Sequence, residues 1–190
     1  IVGSIKENLS LEKRVSITPE TAKNIINLGL KVIIENNYAS HIGITDKEFE
    51  NVGVEIKNSS KEVLDICDLL TKVNCPSDDV ISDLKDNTII IGMLNPSKNQ
   101  TKLKEILKKN INAFSLELLP RISRAQSMDV LSSQSNLAGY RSVIDSIYEF
   151  EKAVPMMMTA AGTVPAAKIL VIGAGVAGLQ AIATAKRMGA

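Results

Sequence analysis

Three glycines near the C-terminal end of the sequence have the spacing of a phosphate-binding turn. Gly173, Gly175 and Gly178 follow a β-branched apolar run and precede an alanine-rich helical pattern. The first glycine permits a tight turn, the second lets the backbone approach a pyrophosphate, and the third brings helix and strand together. Val176 and Ala177 open the predicted helix, whose free N–H groups suit an anion. This context predicts a dinucleotide site and disfavours a glycine-rich turn without a nucleotide.

A second group of polar side chains extends from Arg121 to Arg141 in the segment RISRAQSMDVLSSQSNLAGYR. Gln126 and Ser132 offer amide and hydroxyl groups that can hold a carboxamide and ribose hydroxyls. Arg121 and Asp129 are able to pair and orient each other. Alternatively, this is a polar loop whose side chains only cap the helix expected from Ser132. The spacing alone leaves the two interpretations equally open.

The elements that must position these residues alternate between helix and strand. Thr18 as N-cap and Pro19 at the first helical position predict a helix, and a buried strand follows from Lys31 to Glu35. Further predicted elements are a helix opened by a capping box at 59–62, strands at 68–73, 87–94 and 111–118, and a helix at 102–109. This alternation predicts right-handed crossovers and a mainly parallel sheet, hence a Rossmann-like α/β domain.

From about Ser132 the pattern changes to that of one long helix. Apolar side chains fall three and four residues apart until Glu151, which predicts a helix of about 30 Å. Pro155 marks a connection, and a new strand is expected from Lys168. We therefore predict an N-terminal α/β domain over residues 1–131. Residues 132–190 would supply a linker helix and the first βα unit of a second, incomplete Rossmann domain.

Charge and composition exclude several classes of function. The 22 Lys and Arg residues nearly balance 21 Asp and Glu, so the net charge of +1 provides no field for nucleic acid or an anionic membrane. No apolar run approaches the roughly 20 residues of a membrane span. Cys67, Cys75 and a single histidine, His41, support neither a zinc site nor a disulfide framework. We expect two reduced, mostly buried thiols and no metal.

Two of these segments resemble a known family. RISRAQSMDVLSSQSNLAGYR and PMMMTAAGTVPAAKILVIGAGVAGLQAIATAKRMGA resemble the NAD(H)-binding component, alpha subunit or domain I, of proton-translocating nicotinamide nucleotide transhydrogenase. The N-terminal segment KENLSLEKRVSITPE fits the wider superfamily, which includes alanine dehydrogenase. The resemblance covers essentially the whole chain and is densest from Glu117 onward. It implies that Arg121, Gln126, Asp129 and Ser132 contact the nicotinamide and its ribose in a cleft between two domains.

The resemblance also implies an activity and partners. Hydride would pass from NADH bound here to NADP⁺ on a partner component, coupled to proton translocation through a membrane component, as in the Si/Re-specific type of transhydrogenase. It further implies a homodimer at the cytoplasmic face of the inner membrane. The acidic residue that binds the ribose is expected about 20 residues beyond the glycine motif. We therefore expect the chain to be an inactive part of a longer protein.

Two alternatives remain open from the sequence, and no catalytic residue is assigned. An amino-acid dehydrogenase of the alanine type must move a proton as well as a hydride and needs a positioned acid or base. In such relatives a histidine follows the strand at 87–94, and residues matching Arg14 and Lys72 hold the carboxylate. This sequence has both basic residues but reads GMLNPSKN where the histidine should fall, and His41 lies elsewhere. The second alternative is a regulatory module that binds NAD without hydride transfer.

Overall fold

A six-stranded parallel sheet organises the first of two units into which the chain divides. The computed structural model describes residues 1–190, and its compact units are Ile1–Pro120 and Arg121–Ala190. The strands are β1 (Val2–Ser4), β2 (Val32–Glu35), β3 (Glu55–Lys57), β4 (Leu69–Asn74), β5 (Ile89–Met93) and β6 (Asn112–Ser115). Their order is β3-β2-β1-β4-β5-β6, the Rossmann order. The predicted α/β fold is confirmed, whereas the predicted division between residues 131 and 132 stays a prediction.

One of the two central strands of this sheet is β1, which pairs with β2 on one side and with β4 on the other. Val2 lies opposite Val32 and opposite Leu69. Along β2 the side chains alternate, so that Ile33 enters one buried cluster while Val32 and Ile34 enter another. Both faces of the sheet are therefore covered, as expected for parallel strands.

Five helices connect these strands, and capping residues begin several of them. They are α1 (Pro19–Asn27), α2 (Asp46–Glu50), α3 (Ser60–Ile66), α4 (Asp78–Asp83) and α5 (Gln100–Lys108). The Thr18 hydroxyl accepts a hydrogen bond from the Thr21 N–H at 3.3 Å, and Ser59 accepts one from the Glu62 N–H at 3.3 Å. Both predicted N-caps are thus confirmed.

Some elements of this unit were not predicted from the sequence, and one was predicted with different bounds. The strand predicted at 111–118 ends at Ser115, where its pairing with β5 ends, and Leu116–Leu118 form a 3₁₀ turn. The short elements β1, α2, β3 and α4 were not predicted. Each has six residues or fewer, too few for a hydrophobic period to emerge.

The second unit contains a long helix, a hairpin and a final helix. These are α6 (Val130–Phe150), β7 (Met157–Thr159) paired antiparallel with β8 (Gly162–Val164), and α7 (Val176–Arg187). The long helix is confirmed, but it begins two residues before Ser132 because Asp129 is its N-cap. No helix of the chain has both the length and the apolar character needed to cross a lipid bilayer.

The strand expected from Lys168 does not form. Residues 165–175 belong to no strand or helix, and the side chains of Leu170 and Ile172 are 85% and 94% exposed. A strand is defined by hydrogen bonds to a neighbour, and no other segment of the chain pairs with this one. The prediction of a strand here was therefore wrong, although the turn and helix after it form as expected.

Candidate dinucleotide site

The structure itself requires glycine at two positions of the turn before α7. Gly173 has φ +103°, a conformation that residues with a Cβ rarely adopt. A Cβ added to Gly178 would strike the Gly173 carbonyl group, with its carbon at 2.9 Å and its oxygen closer still. The φ angle therefore favours glycine at Gly173, whereas at Gly178 the carbonyl group of the turn leaves no room for a side chain.

Gly175 differs from these two because nothing in the protein excludes a side chain from it. Its φ of −76° is ordinary, and an added Cβ would meet no atom within 4 Å. What glycine provides here is an open surface beside the first turn of α7, where a Cβ would occupy space that a ligand could use. This is the space expected where a backbone must approach a phosphate closely.

Three backbone N–H groups next to this open surface have no acceptor within the helix. The first hydrogen bond into α7 runs from the Leu179 N–H to the Gly175 carbonyl oxygen at 2.9 Å. The N–H groups of Val176, Ala177 and Gly178 precede it and lie outside the helical ladder. They also stand at the positive end of the dipole of a 12-residue helix. The turn can therefore hold an anion such as a pyrophosphate, and its residues fit that group.

At the start of α6, Asp129 and Ser132 form one hydrogen-bonded pair. The Asp129 carboxylate accepts the Ser132 N–H at 2.9 Å and the Ser132 hydroxyl at 2.6 Å. The hydrogen bond from the Ser132 hydroxyl is the main reason why the pKa of Asp129 lies below its usual value. The carboxylate is therefore ionised at neutral pH and held in one orientation.

Arg121 and Gln126 precede this pair by a few residues in the sequence, and both side chains are exposed. Gln126 belongs to a 3₁₀ helix, Ser123–Met128, and its carbonyl oxygen accepts the Asp129 N–H at 3.3 Å. The suggested ion pair between Arg121 and Asp129 does not form, although the guanidinium charge contributes a little to lowering the pKa of Asp129. The structure thus joins Asp129 to Ser132 and leaves Arg121 and the Gln126 amide open to solvent.

One residue near this site was missed by the sequence analysis. Gly139, in the middle of α6, is buried against the backbone of Ala177 in the first turn of α7. Further along the same two helices, Val143 packs with Ala181 and Ala185. The available signal was a lone glycine inside a helical pattern, which weakens a helix unless close packing requires it.

In the first unit, the two basic residues of the alternative dehydrogenase interpretation are paired with carboxylates. The Arg14 guanidinium binds Glu12 through Nε at 2.8 Å and through Nη2 at 2.6 Å. Lys72 Nζ lies 3.2 Å from Glu7 Oε2, with both side chains more than 90% buried. The hydrogen bond from Arg14 lowers the pKa of Glu12 to about 2. Both positive charges are therefore already balanced within the protein.

A cavity of about 280 Å³ opens beside these ion pairs, but its wall contains no imidazole. It is lined by residues that include Lys6, Asn74, Cys75 and Lys102. After β5, where the alternative interpretation requires a histidine, Asn95 directs its N–H to the Glu117 carboxylate. His41 is exposed, with Nε2 2.8 Å from the Lys13 carbonyl oxygen. The cavity therefore has no histidine that could act as a general acid or base.

The thiols show no sign of a reactive or metal-binding role. Cys67 is buried, and burial raises its pKa to about 11, so it remains a thiol at neutral pH. Burial also raises the pKa of the partly buried Cys75. No group of three or more His, Cys, Asp or Glu side chains is placed to hold a metal ion.

Comparisons with known proteins agree with the resemblance seen in the sequence. The family description "Alanine dehydrogenase/PNT, N-terminal domain" matches residues 3–138, and "Alanine dehydrogenase/PNT, C-terminal domain" matches residues 142–190. The chain is 48% identical over 190 residues to the first part of NAD(P) transhydrogenase subunit alpha of Rhodospirillum rubrum, covering 97% of this chain and 50% of that protein. It is 30% identical over 193 residues to an alanine dehydrogenase of Methanococcus maripaludis, covering 100% and 51%.

A solved structure extends the similarity to the three-dimensional fold. The crystal structure of transhydrogenase from Sinorhizobium meliloti superimposes with a TM-score of 0.93 at 46% identity, covering 100% of this chain and 57% of that one. The chain spans about half the length of the curated relatives it matches. The resemblance to the transhydrogenase alpha subunit is confirmed, and the chain belongs to the alanine dehydrogenase/PNT family.

Proposed function

We propose that this chain is the NAD(H)-binding part of a proton-translocating transhydrogenase. The observation that carries the proposal is the turn before α7, where the open surface at Gly175 adjoins the free N–H groups of Val176, Ala177 and Gly178. The 48% identity to a protein named as a component of NAD(P) transhydrogenase subunit alpha supports the same activity.

Within this proposal, each group of residues has a distinct role. The turn from Gly173 to Gly178 binds the pyrophosphate with backbone N–H groups. Arg121, Gln126, Asp129 and Ser132 hold the nicotinamide and its ribose. The exposed Gln126 amide can pair with a carboxamide, and the ionised Asp129 can accept hydrogen bonds from ribose hydroxyls.

The chemistry asked of the chain is binding and alignment. NADH supplies the hydride when bound, and NADP⁺ on a partner component accepts it at a second nicotinamide ring. No proton has to leave or join a substrate oxygen or nitrogen in such an exchange, so the chain needs no acid or base beside the reacting carbon. The side chains from Arg121 to Ser132 would orient the ring and limit access of water to it.

The proposal extends to the assembly in which the chain works. We propose a homodimer at the cytoplasmic face of the inner membrane, associated with an NADP(H)-binding component and a membrane-spanning component of a Si/Re-specific transhydrogenase. We further propose that the fragment over residues 1–190 is inactive without the rest of the polypeptide. The Rhodospirillum rubrum relative is named as one portion of a subunit, which supports the existence of partner components.

The alternative of an alanine-type dehydrogenase is supported less well. Arg14 and Lys72 are bound to Glu12 and Glu7, which reduces their attraction for a substrate carboxylate. The loop after β5 carries Asn95 in place of a histidine. Identity to the alanine dehydrogenase is also lower, 30% against 48%. A regulatory module that binds NAD without hydride transfer stays a second alternative, and one combined assay separates the three.

The deciding experiment combines binding with hydride exchange in the full-length protein. Calorimetric titration is expected to give tighter binding of NADH than of NADPH. The affinity for NADH should be lower in Gln126→Ala than in the unmodified protein. With its partner component, the protein should then transfer hydride from NADH to an NADP⁺ analogue. NADH consumption with pyruvate and ammonium, without a partner, would instead identify an amino-acid dehydrogenase. NADH binding with no hydride transfer under either condition would favour the regulatory module.

A further inference from the structure

Gly139 of α6 touches the turn of α7 whose N–H groups form the proposed pyrophosphate site. A Cβ built on Gly139 would lie 2.9 Å from the Ala177 carbonyl carbon and 3.0 Å from its Cα, and closer still to its carbonyl oxygen. Any side chain at this position would have to displace backbone rather than a flexible side chain. The two helices therefore meet backbone to backbone at Gly139, a contact that requires glycine.

The same helix carries part of the proposed nicotinamide and ribose site at its N-terminal end. Asp129 is the N-cap of α6, and Ser132 in its first turn is hydrogen-bonded to that cap. Gly139 lies seven positions after Ser132, which is about 10 Å along a helix with a rise of about 1.5 Å per residue. One continuous helix and one backbone contact therefore set the separation between the first turn of α6 and the first turn of α7.

Apolar packing further along the two helices stabilises this contact. Val143, four residues after Gly139 and on the same face, is buried with Ala181 and Ala185 of α7. Ile147 packs against the same cluster one turn later. The cluster holds the helices to each other, and the absence of a side chain at Gly139 determines how closely the middle of α6 approaches the first turn of α7.

We propose that Gly139 is a positioning residue for a dinucleotide, and this inference rests on the proposed NAD(H)-binding function. Gly139 acts through Ala177 and needs no contact with the ligand. A ligand that spans both sites, such as NADH, binds well only if the two first turns keep their separation. When α7 shifts as a rigid body to make room at Gly139, a ligand that contacts only its first turn, such as ADP, keeps its hydrogen bonds to that turn.

The test measures both ligands on Gly139→Ala in the full-length protein by calorimetric titration. We expect NADH affinity to fall at least tenfold while ADP affinity changes less than threefold. Ala138→Ser is the matched control, since it also adds one non-hydrogen atom to α6 but at an exposed position, and it should change neither affinity. Equal loss of both ligands, or unchanged NADH affinity, would overturn the positioning role.

A second variant keeps the test decisive if Gly139→Ala does not fold. Val143→Ala loosens the same interface without introducing a clash, and we expect at least a threefold loss of NADH affinity with ADP affinity retained. Unchanged NADH affinity in this variant would also overturn the inference. The unmodified protein tests the underlying function separately. If it does not bind NADH, the proposed function fails, whereas NADH binding that survives in both variants removes only the role of Gly139.

Discussion

Ser132 donates two hydrogen bonds to the carboxylate of Asp129, one from its backbone N–H at 2.9 Å and one from its hydroxyl at 2.6 Å. The pair caps α6 and at the same time holds an ionised carboxylate among the residues proposed to bind the nicotinamide ribose. The capping and binding interpretations of this segment are therefore compatible, because the cap fixes the orientation that binding requires.

Replacing the cap should separate these two roles. Asp129→Ala is expected to lower the free energy of unfolding, the usual effect of losing an N-cap, and to weaken NADH binding. Asp129→Asn retains a capping side chain without the charge, so its stability should stay close to that of the unmodified protein. Urea unfolding and calorimetry would check both. Full NADH affinity in Asp129→Ala would remove Asp129 from the proposed site.

Two alanine substitutions in the glycine turn should have opposite signatures. Gly175→Ala should change the free energy of unfolding by less than about 0.5 kcal/mol, since its Cβ meets no protein atom, yet weaken NADH binding at least tenfold. Gly178→Ala should destabilise the fold by about 1–3 kcal/mol, because its Cβ strikes the Gly173 carbonyl group. Thermal unfolding and NADH titration measure the pair. Unaltered NADH affinity in Gly175→Ala would argue against a pyrophosphate at this turn.

The Glu12–Arg14 pair predicts a specific dependence of stability on pH. Because the folded-state pKa of Glu12 is lowered from 4.5 to about 2, its ionised form adds stability above about pH 4.5. That contribution is lost progressively as the pH falls from 4.5 toward 2. At pH 6, Glu12→Gln should therefore be less stable than the unmodified protein by about 1–3 kcal/mol, with the difference shrinking toward pH 2. Urea unfolding across this range tests it, with the exposed Glu149→Gln as control.

The buried Lys72–Glu7 pair should be structural rather than substrate-binding. Lys72→Met leaves Glu7 buried without its partner and is expected to lower the free energy of unfolding by about 3–5 kcal/mol. The double variant Lys72→Met, Glu7→Gln removes both charges and should recover much of that loss. NADH affinity of the folded protein should be unchanged in the double variant. A matching loss of pyruvate-dependent NADH consumption would instead favour the alanine-type dehydrogenase.

Local chemistry explains what could be predicted from the sequence. The hydroxyls of Thr18 and Ser59 accept hydrogen bonds from N–H groups three residues later. The starts of α1 and α3 could therefore be predicted from a few consecutive residues. The turn from Gly173 to Gly178 was visible for the same reason, since its backbone geometry depends on residues within the turn.

Contacts between residues distant in sequence could not be predicted in this way. Glu7 and Lys72 are brought together by the neighbouring strands β1 and β4, and neither residue indicates the other. The approach of Gly139 to Ala177 depends on how two helices pack, which a single helical pattern does not specify. The strand predicted after Lys168 does not form, because an apolar run indicates β propensity but does not provide a neighbouring strand to pair with.

The central position of β1 has a consequence for the order of folding. Val2 pairs with Val32 and with Leu69, residues 30 and 67 positions away. Loop-closure entropy rises with loop length by about 0.6 kcal/mol for each doubling, so joining β1 to β2 is entropically easier than joining it to β4. We expect the β1–β2 ladder to nucleate the sheet and β4 to dock onto it later. Such non-local pairing of parallel strands predicts slower folding than that of a helical bundle of similar size.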